Sequence, residues 1–245
     1  MVATAVQLYT LRAVEKPLPD ILEHVAAAGY DGVEFAYRVR DAETDTDAVL
    51  ETLDATGLDA VAAHVSAEEL DHDLDDLVTF ADRFDCDTFV LPYLDDAHFA
   101  SPEAVESTAS ELETLADRLE THGIRLCYHN HDHEFVDCEG TPAFERLLAA
   151  TDDRVSFEVD LGWVAAAGHD PVTLLDRYGE RIPLVHAFDV DESGDAVDFG
   201  DGIVDVPACM DAARDAGVEW AIYENDDPAD PLVSIERGAA ALRNS

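Results

Sequence analysis

Short apolar runs alternate with amphipathic stretches along the whole chain, and this alternation restricts the possible folds more than any other feature. The first run, Ala3 to Tyr9, contains strand-forming residues, and the stretch from Pro17 to Ala28 has apolar residues at helical spacing and stops at Gly29. Such a run predicts a strand, and such spacing predicts a helix. The chain therefore begins with one strand-helix unit.

The same unit recurs to the end of the chain. The predicted strands are Ala3 to Tyr9, Gly32 to Ala36, Leu58 to Val65, Thr88 to Pro92, Ile124 to His131, Val155 to Asp160, Pro183 to Val190 and Trp220 to Glu224. The predicted helices are Pro17 to Ala28, Asp45 to Thr56, Leu70 to Phe84, Pro102 to Leu119, Pro142 to Ala150, Pro171 to Tyr178, a segment ending near Ala216, and Leu232 to Leu242.

Eight apolar strands with eight intervening helices suit a parallel sheet that is buried on both faces and closes on itself. We therefore expect a single (β/α)8 TIM barrel over residues 1–245. An open, doubly wound sheet is the main alternative. It is disfavoured because no Gly-x-Gly-x-x-Gly motif follows the first strand.

The chain is strongly acidic, with 56 acidic and 14 basic residues and a formal net charge of -42. The acids are spread over all predicted helices, which indicates a surface adapted to high salt, as in a cytoplasmic protein of a halophile. Nucleic-acid partners are disfavoured because they require a basic surface. No apolar run approaches the roughly 20 residues that span a membrane, and no signal segment precedes the first strand.

Residues that can bind metals follow several predicted strands. Asp160 and Glu224 end the sixth and eighth strands, and His186 ends the apolar run Leu184 to His186 in the seventh. In a barrel these ends meet at one mouth, where a divalent cation would neutralise them. Other roles stay open, because Asp160 could cap a helix and His186 could be a hydrogen-bonded core histidine. Glu224 follows Ala-Ile-Tyr directly, so its carboxylate needs a partner.

Five motifs occur in order along the chain: Gly29-Tyr-Asp-Gly-Val-Glu-Phe35, Tyr128-His-Asn-His-Asp-His-Glu-Phe135, Asp160-Leu-Gly-Trp163, His186-Ala-Phe-Asp189 and Tyr223-Glu-Asn-Asp226. Together they resemble the sugar phosphate isomerase/epimerase family of xylose isomerase-like barrels. The resemblance implies one divalent metal ion, manganese, cobalt, magnesium or zinc. Its ligands would be a carboxylate from the fifth strand and the residues that match Asp160, His186 and Glu224.

The fifth-strand ligand departs from the family pattern, which has glutamate where this chain has His129. His129 or His131 could replace it from the strand, or Glu134 could reach back from the loop. Glu134 is our first expectation, because a third carboxylate suits a hard cation, and His131 is the second. Glu34, His64, His129 and Trp163 are expected to line the substrate end. A pairing of Glu34 with Arg12 or Arg38 is an equal alternative.

The resemblance implies an enzyme that isomerises or epimerises a sugar or sugar derivative through an enediolate. Glu224, with Glu134 or His131, would move the proton next to the carbonyl. Alternatives are an inosose-dehydratase-like lyase on the same metal site and a sugar-binding barrel without catalysis. An abasic-site endonuclease is disfavoured by the charge. We expect a small-molecule sugar as the partner, and a monomer or small homo-oligomer.

We predict that salt stabilises the protein, because the excess negative charge repels itself in dilute buffer. The melting temperature should rise strongly between about 0.1 M and several molar potassium chloride, as the Debye length falls from about 10 Å to about 3 Å or less. Thermal unfolding followed by circular dichroism measures this. A melting temperature that stays flat or falls with salt would contradict the halophilic interpretation.

Overall fold

Eight parallel strands close into a barrel in the computed structural model, which describes residues 2–245. The strands are β1 (Ala3–Gln7), β2 (Gly32–Phe35), β3 (Asp59–His64), β4 (Thr88–Leu91), β5 (Arg125–His129), β6 (Val155–Asp160), β7 (Leu184–Ala187) and β8 (Trp220–Tyr223). Each strand pairs with its neighbours in chain order, and β1 pairs with β8 to close the ring. The predicted TIM barrel is thereby confirmed.

Ten α-helices of residues 2–245 surround this barrel. They are α1 (Leu18–Ala28), α2 (Thr46–Thr56), α3 (Ala67–His72), α4 (Leu74–Phe84), α5 (Pro102–Glu120), α6 (Ala143–Ala150), α7 (Leu161–Ala166), α8 (Pro171–Tyr178), α9 (Val206–Ala216) and α10 (Pro231–Asn244). None of them is both long and apolar enough to cross a membrane.

Two of these helices were not in the sequence prediction. The stretch predicted as one helix from Leu70 to Phe84 is divided at Asp73, and its first part, α3, starts at a capping box formed by Ser66 and Glu69. The other addition, α7, directly follows β6 and has Asp160 as its N-cap. A side chain that accepts from the first turn stabilises even a short helix.

Three strands end two or three residues earlier than predicted, and four others end one residue earlier. β1 stops at Gln7 and continues as a 3-10 helix (Leu8–Leu11), while β5 stops at His129. β7 stops at Ala187, and Asp189–Val190 instead pairs antiparallel with Ala196–Val197. Strand pairing ends at the barrel rim, so the polar residues beyond these positions belong to loops over the mouth.

The barrel interior has an apolar floor beneath a polar mouth. The floor is a buried cluster made of Ala5, Val61, Ala62, Val90, Cys127, Leu184 and Ile222. Because side chains alternate along a strand, the inward residues two positions further are Gln7, His64, His129, His186 and Glu224. The sequence therefore confines polar groups to one end of the barrel.

The last helix packs closely against the last strand through Gly238. A Cβ atom on Gly238 would lie 2.4 Å from Cδ2 of Tyr223, the residue before Glu224. The Tyr223 hydroxyl is also within 2.6 Å of Ser234 Oγ on the same helix. The absence of a side chain at Gly238 thus allows α10 to hold the strand that carries Glu224.

We predict that Gly238→Ala destabilises the fold. Glycine to alanine in a helix normally gains about 1 kcal/mol, but overlap with the buried ring should reverse the sign and cost about 1–3 kcal/mol. Urea unfolding at high salt measures the change, with Ala240→Ser on the exposed side of the same helix as the control. A stability equal to or above wild type would show that the helix shifts freely.

Candidate metal centre

A cavity of about 440 Å³ opens at the carboxyl ends of the strands. His64, His129 and Glu224 lie at its floor, and His131 and Trp163 also line it. This is the end of a TIM barrel where active sites are found.

Four buried side chains meet below this cavity with spacing that suits a metal ion. They are His129, Asp160, His186 and Glu224, whose ligand atoms all lie within 4.8 Å of one another. We call this candidate set the metal-ligand group. His186 Nδ1 is 2.8 Å from Glu224 Oε2 and 3.9 Å from Asp160 Oδ2. The structure therefore brings together the three residues that the sequence places at the ends of β6, β7 and β8.

Helix capping orients Asp160 toward this group. Its Oδ1 accepts from the backbone N of Trp163 at 2.7 Å, and its own backbone N donates to Asn130 Oδ1 at 3.1 Å. The second carboxylate oxygen, Oδ2, is buried and has no hydrogen-bond partner. Burial also raises the pKa of Asp160 well above its ordinary value. A bound cation would satisfy the free oxygen, so the capping and metal-binding roles are compatible.

His186 lies between carboxylates on both sides. Its Nδ1 faces Glu224, and its Nε2 is 2.7 Å from Glu34 Oε2 and 3.1 Å from Glu158 Oε2. Burial alone would lower the pKa of His186, but the carboxylates of Glu158, Glu224 and Glu34 raise it well above its usual value. Burial raises the pKa of Glu224, yet His186 outweighs this and lowers it to about 2.

Glu158 and Glu34 lie beneath the metal-ligand group. Glu158 Oε2 is 3.1 Å from His129 Nδ1 and 3.4 Å from His64 Nε2. Glu34 Oε2 accepts from Gln7 Nε2 at 2.7 Å, so Glu34 bonds to Gln7 and His186 rather than to Arg12 or Arg38. Glu158 thus lies one layer deeper than Asp160, as the alternation along β6 predicts.

Glu134, our first expectation for the fifth-strand ligand, lies elsewhere. Its carboxylate accepts from the Tyr128 hydroxyl and from the backbone N of His131, each at 2.6 Å, and it is outside the metal-ligand group. The cause is the early end of β5, after which a 3-10 helix (His133–Phe135) turns Glu134 away from the mouth. From the fifth strand it is His129 that lies beside Asp160, His186 and Glu224.

The expected substrate-contacting residues divide between the cavity and the layer below it. His64, His129 and Trp163 line the cavity, as does His131, whose Nδ1 is buried without a partner. Glu34 does not line the cavity, because it is bonded beneath the floor. Burial, with the neighbouring His129 and His133, lowers the pKa of His131 to about 3, so its ring is neutral.

Three tyrosines at the rim were missed by the sequence analysis. Tyr9, Tyr37 and Tyr93 line the cavity and are 37%, 49% and 53% exposed, so their rings are free to contact a ligand. Each lies two residues after the end of a strand, β1, β2 and β4. An aromatic residue repeated at that position is the signal that could have identified them.

Comparison with known proteins agrees with this architecture. The family described as xylose isomerase-like TIM barrel matches residues 22–245 of the chain. The inosose dehydratase of Lacticaseibacillus casei is 33% identical over 156 residues, which are 55% of this chain and 51% of that enzyme. The chain spans about half the length of the curated relatives that it matches first.

Solved structures share the fold over nearly the whole chain. A sugar phosphate isomerase/epimerase from Parabacteroides distasonis superposes with a TM-score of 0.83 at 21% identity, covering 100% of this chain and 96% of that one. The IOLI protein with a bound zinc atom superposes with a TM-score of 0.76 at 16% identity, covering 99% and 97%. The resemblance inferred from the motifs is confirmed.

We predict that Asp160→Asn stabilises the metal-free protein and weakens its metal binding. Without metal, the variant should be more stable than wild type, because the amide removes a buried, incompletely paired carboxylate. Manganese or cobalt at about 100 times Kd should stabilise wild type by about 2.7 kcal/mol and the variant much less. Thermal melts with chelator or metal measure both effects. Equal metal-induced stabilisation of the two proteins would remove Asp160 from the site.

Proposed function

The chain belongs to the xylose isomerase-like TIM barrel family, and we propose that it is a metal-dependent dehydratase of a polyhydroxylated ketone such as an inosose. One observation carries the choice of reaction. Of the four carboxylates that surround His186, only Glu224 lines the cavity, where the imidazole of His131 lies on the wall; Asp226, Arg12 and the rim tyrosines also line it. An ionised carboxylate base together with the neutral imidazole of His131 suits an elimination.

The residues present fit a divalent metal ion. His129, Asp160, His186 and Glu224 would hold it, and the unpartnered Asp160 Oδ2 is the atom that most needs it. Two imidazoles with two carboxylates favour zinc, cobalt or manganese over magnesium. When bound, the ion polarises the substrate carbonyl and so makes the neighbouring C–H bond more acidic. The zinc atom of the IOLI protein supports this assignment.

Glu224 is the proposed base. Its carboxylate is ionised, because its pKa is about 2, and it takes the proton from the carbon next to the carbonyl. The electron pair of that C–H bond forms the new double bond as the β-hydroxyl leaves. His131 gives its proton to the departing hydroxyl, which leaves as water, and regains one through solvent from Glu224. A neutral imidazole can act as such a donor.

The cavity wall suits a hydroxylated ring. Trp163 and the rim tyrosines Tyr9, Tyr37 and Tyr93 offer apolar faces, while the imidazoles offer hydrogen bonds to hydroxyl groups. This combination of a few polar groups with aromatic walls is typical of small-molecule sites. The similarity to an inosose dehydratase over 156 residues supports the substrate class.

An isomerase is the second candidate, supported by the fold shared with the Parabacteroides enzyme. It would use the same first step, removal of a proton by Glu224, followed by return of the proton to the neighbouring carbon. An epimerase would also need a second acid or base on the opposite face of the substrate. The resemblance to the family leads us to expect a glutamate there, and this chain has His129.

We predict that Glu224→Gln lowers turnover by a factor of about 100 to 10,000, because the amide cannot take the proton. Wild type and variant would be compared at saturating metal and high salt with a panel of inososes and ketoses. NMR follows deuterium exchange next to the carbonyl, and absorbance follows the unsaturated ketone.

Glu219→Gln, an exposed change just before the same strand, is the matched control and should retain wild-type rates. Exchange with formation of unsaturated ketone identifies a dehydratase, and a rearranged ketose without it identifies an isomerase. Wild-type exchange in the Glu224 variant would show that another residue is the base. Sugar binding without any exchange in wild type would indicate a binding protein.

A further inference from the structure

Three imidazole nitrogens converge on one carboxylate oxygen below the first metal-ligand group. Glu158 Oε2 is 3.1 Å from His129 Nδ1, 3.1 Å from His186 Nε2 and 3.4 Å from His64 Nε2. The ligand atoms of these four residues all lie within 4.8 Å of one another, and all four side chains are buried. We call this set, His64, His129, Glu158 and His186, the lower cluster.

The distances within the lower cluster suit the edges of a coordination shell. Ligands at about 2.1 Å from a metal ion are separated by about 3.0 Å in an octahedron and about 3.4 Å in a tetrahedron. The contacts of Glu158 Oε2, at 3.1 Å and 3.4 Å, have these lengths. Without an ion they serve as hydrogen bonds from His129 and His64, and they are longer than the 2.7 Å from His186 Nε2 to Glu34 Oε2. The same spacing would place these ligand atoms around one ion.

Glu34 and Glu158 both approach His186 Nε2 with Oε2, and each has a second oxygen without a partner. Oε1 of Glu34 and Oε1 of Glu158 are buried and have no hydrogen-bond partner, and both side chains are fully inaccessible to solvent. An ion held by Asp160 and Glu224 would balance those two carboxylates and leave the charges of Glu34 and Glu158. Buried charges of this kind are normally paired or bound to metal.

We propose that His64, His129 and Glu158 hold a second divalent cation beneath the first. His186 then separates the two positions, with Nδ1 toward Glu224 and Asp160 and with Nε2 hydrogen-bonded to Glu34. With two ions, His129 belongs to the lower one and no longer to the upper one, which keeps Asp160, His186 and Glu224, the usual number of protein ligands at a catalytic metal. His64 and His129 line the cavity floor, so the lower position is reachable from the mouth.

The test is metal stoichiometry, which does not depend on any catalytic activity. Chelated protein would be dialysed against cobalt at high potassium chloride, and bound cobalt per chain measured by elemental analysis and by its visible spectrum. Wild type should bind two ions. His64→Asn and Glu158→Gln should each bind one, Asp160→Asn should bind one, and the double variant His64→Asn with Asp160→Asn should bind none.

His72→Asn, an exposed change on α3, is the control for adventitious binding and should keep two ions. Circular dichroism checks folding, and Glu158→Gln replaces His64→Asn if the latter does not fold. One ion in wild type, or two ions in both lower-cluster variants, would overturn the proposal. If wild type binds one ion, which His64→Asn retains and Asp160→Asn loses, the first site is supported and the second is rejected.

Discussion

The alternation of side chains in a closed parallel barrel is the constraint on which the rest of this structure depends. Inward positions two residues apart lie in successive layers of the barrel. Ile222 therefore belongs to the apolar floor, and Glu224, two residues later, belongs to the polar mouth. The same change occurs between Leu184 and His186. Because every strand runs in the same direction, the polar inward residues of the different strands lie together at one end of the barrel, and long loops are not needed to bring them there.

Gathering carboxylates in a closed space creates the main electrostatic cost of the fold. Glu34, Glu158, Asp160 and Glu224 all lie within 4 Å of His186, and burial disfavours each charge. The imidazoles, Gln7 and the N-terminal turn of α7 offset part of this cost by hydrogen bonding. They leave one buried oxygen without a hydrogen-bond partner on each of Glu34, Glu158 and Asp160, and a bound cation would satisfy such oxygens.

The fold was predictable because its signal is repeated, whereas the site depended on where single strands end. Asp160, His186 and Glu224 lie together as the sequence predicted, because each ends an apolar run and the hydrophobic pattern locates such ends. Glu134 was misplaced because β5 stops two residues before the predicted end, and no local pattern in a run of polar residues marks that stop. The tyrosine rim had a positional signal, its fixed offset from the strands.

The replacement of the family glutamate by His129 redistributes charge within the mouth. The residue that pairs with His129 in the sheet is Glu158, on the adjacent strand β6 and one layer below Asp160. A carboxylate is therefore still beside that position, but it faces down toward His64 and not up toward the cavity. Of the carboxylates around His186, Glu224 alone then lines the cavity, which Asp226 also lines from the loop after β8, and the floor is enriched in imidazole. In the proposed elimination Glu224 is the base and the neutral imidazole of His131 is the donor, so that reaction does not require a carboxylate at position 129.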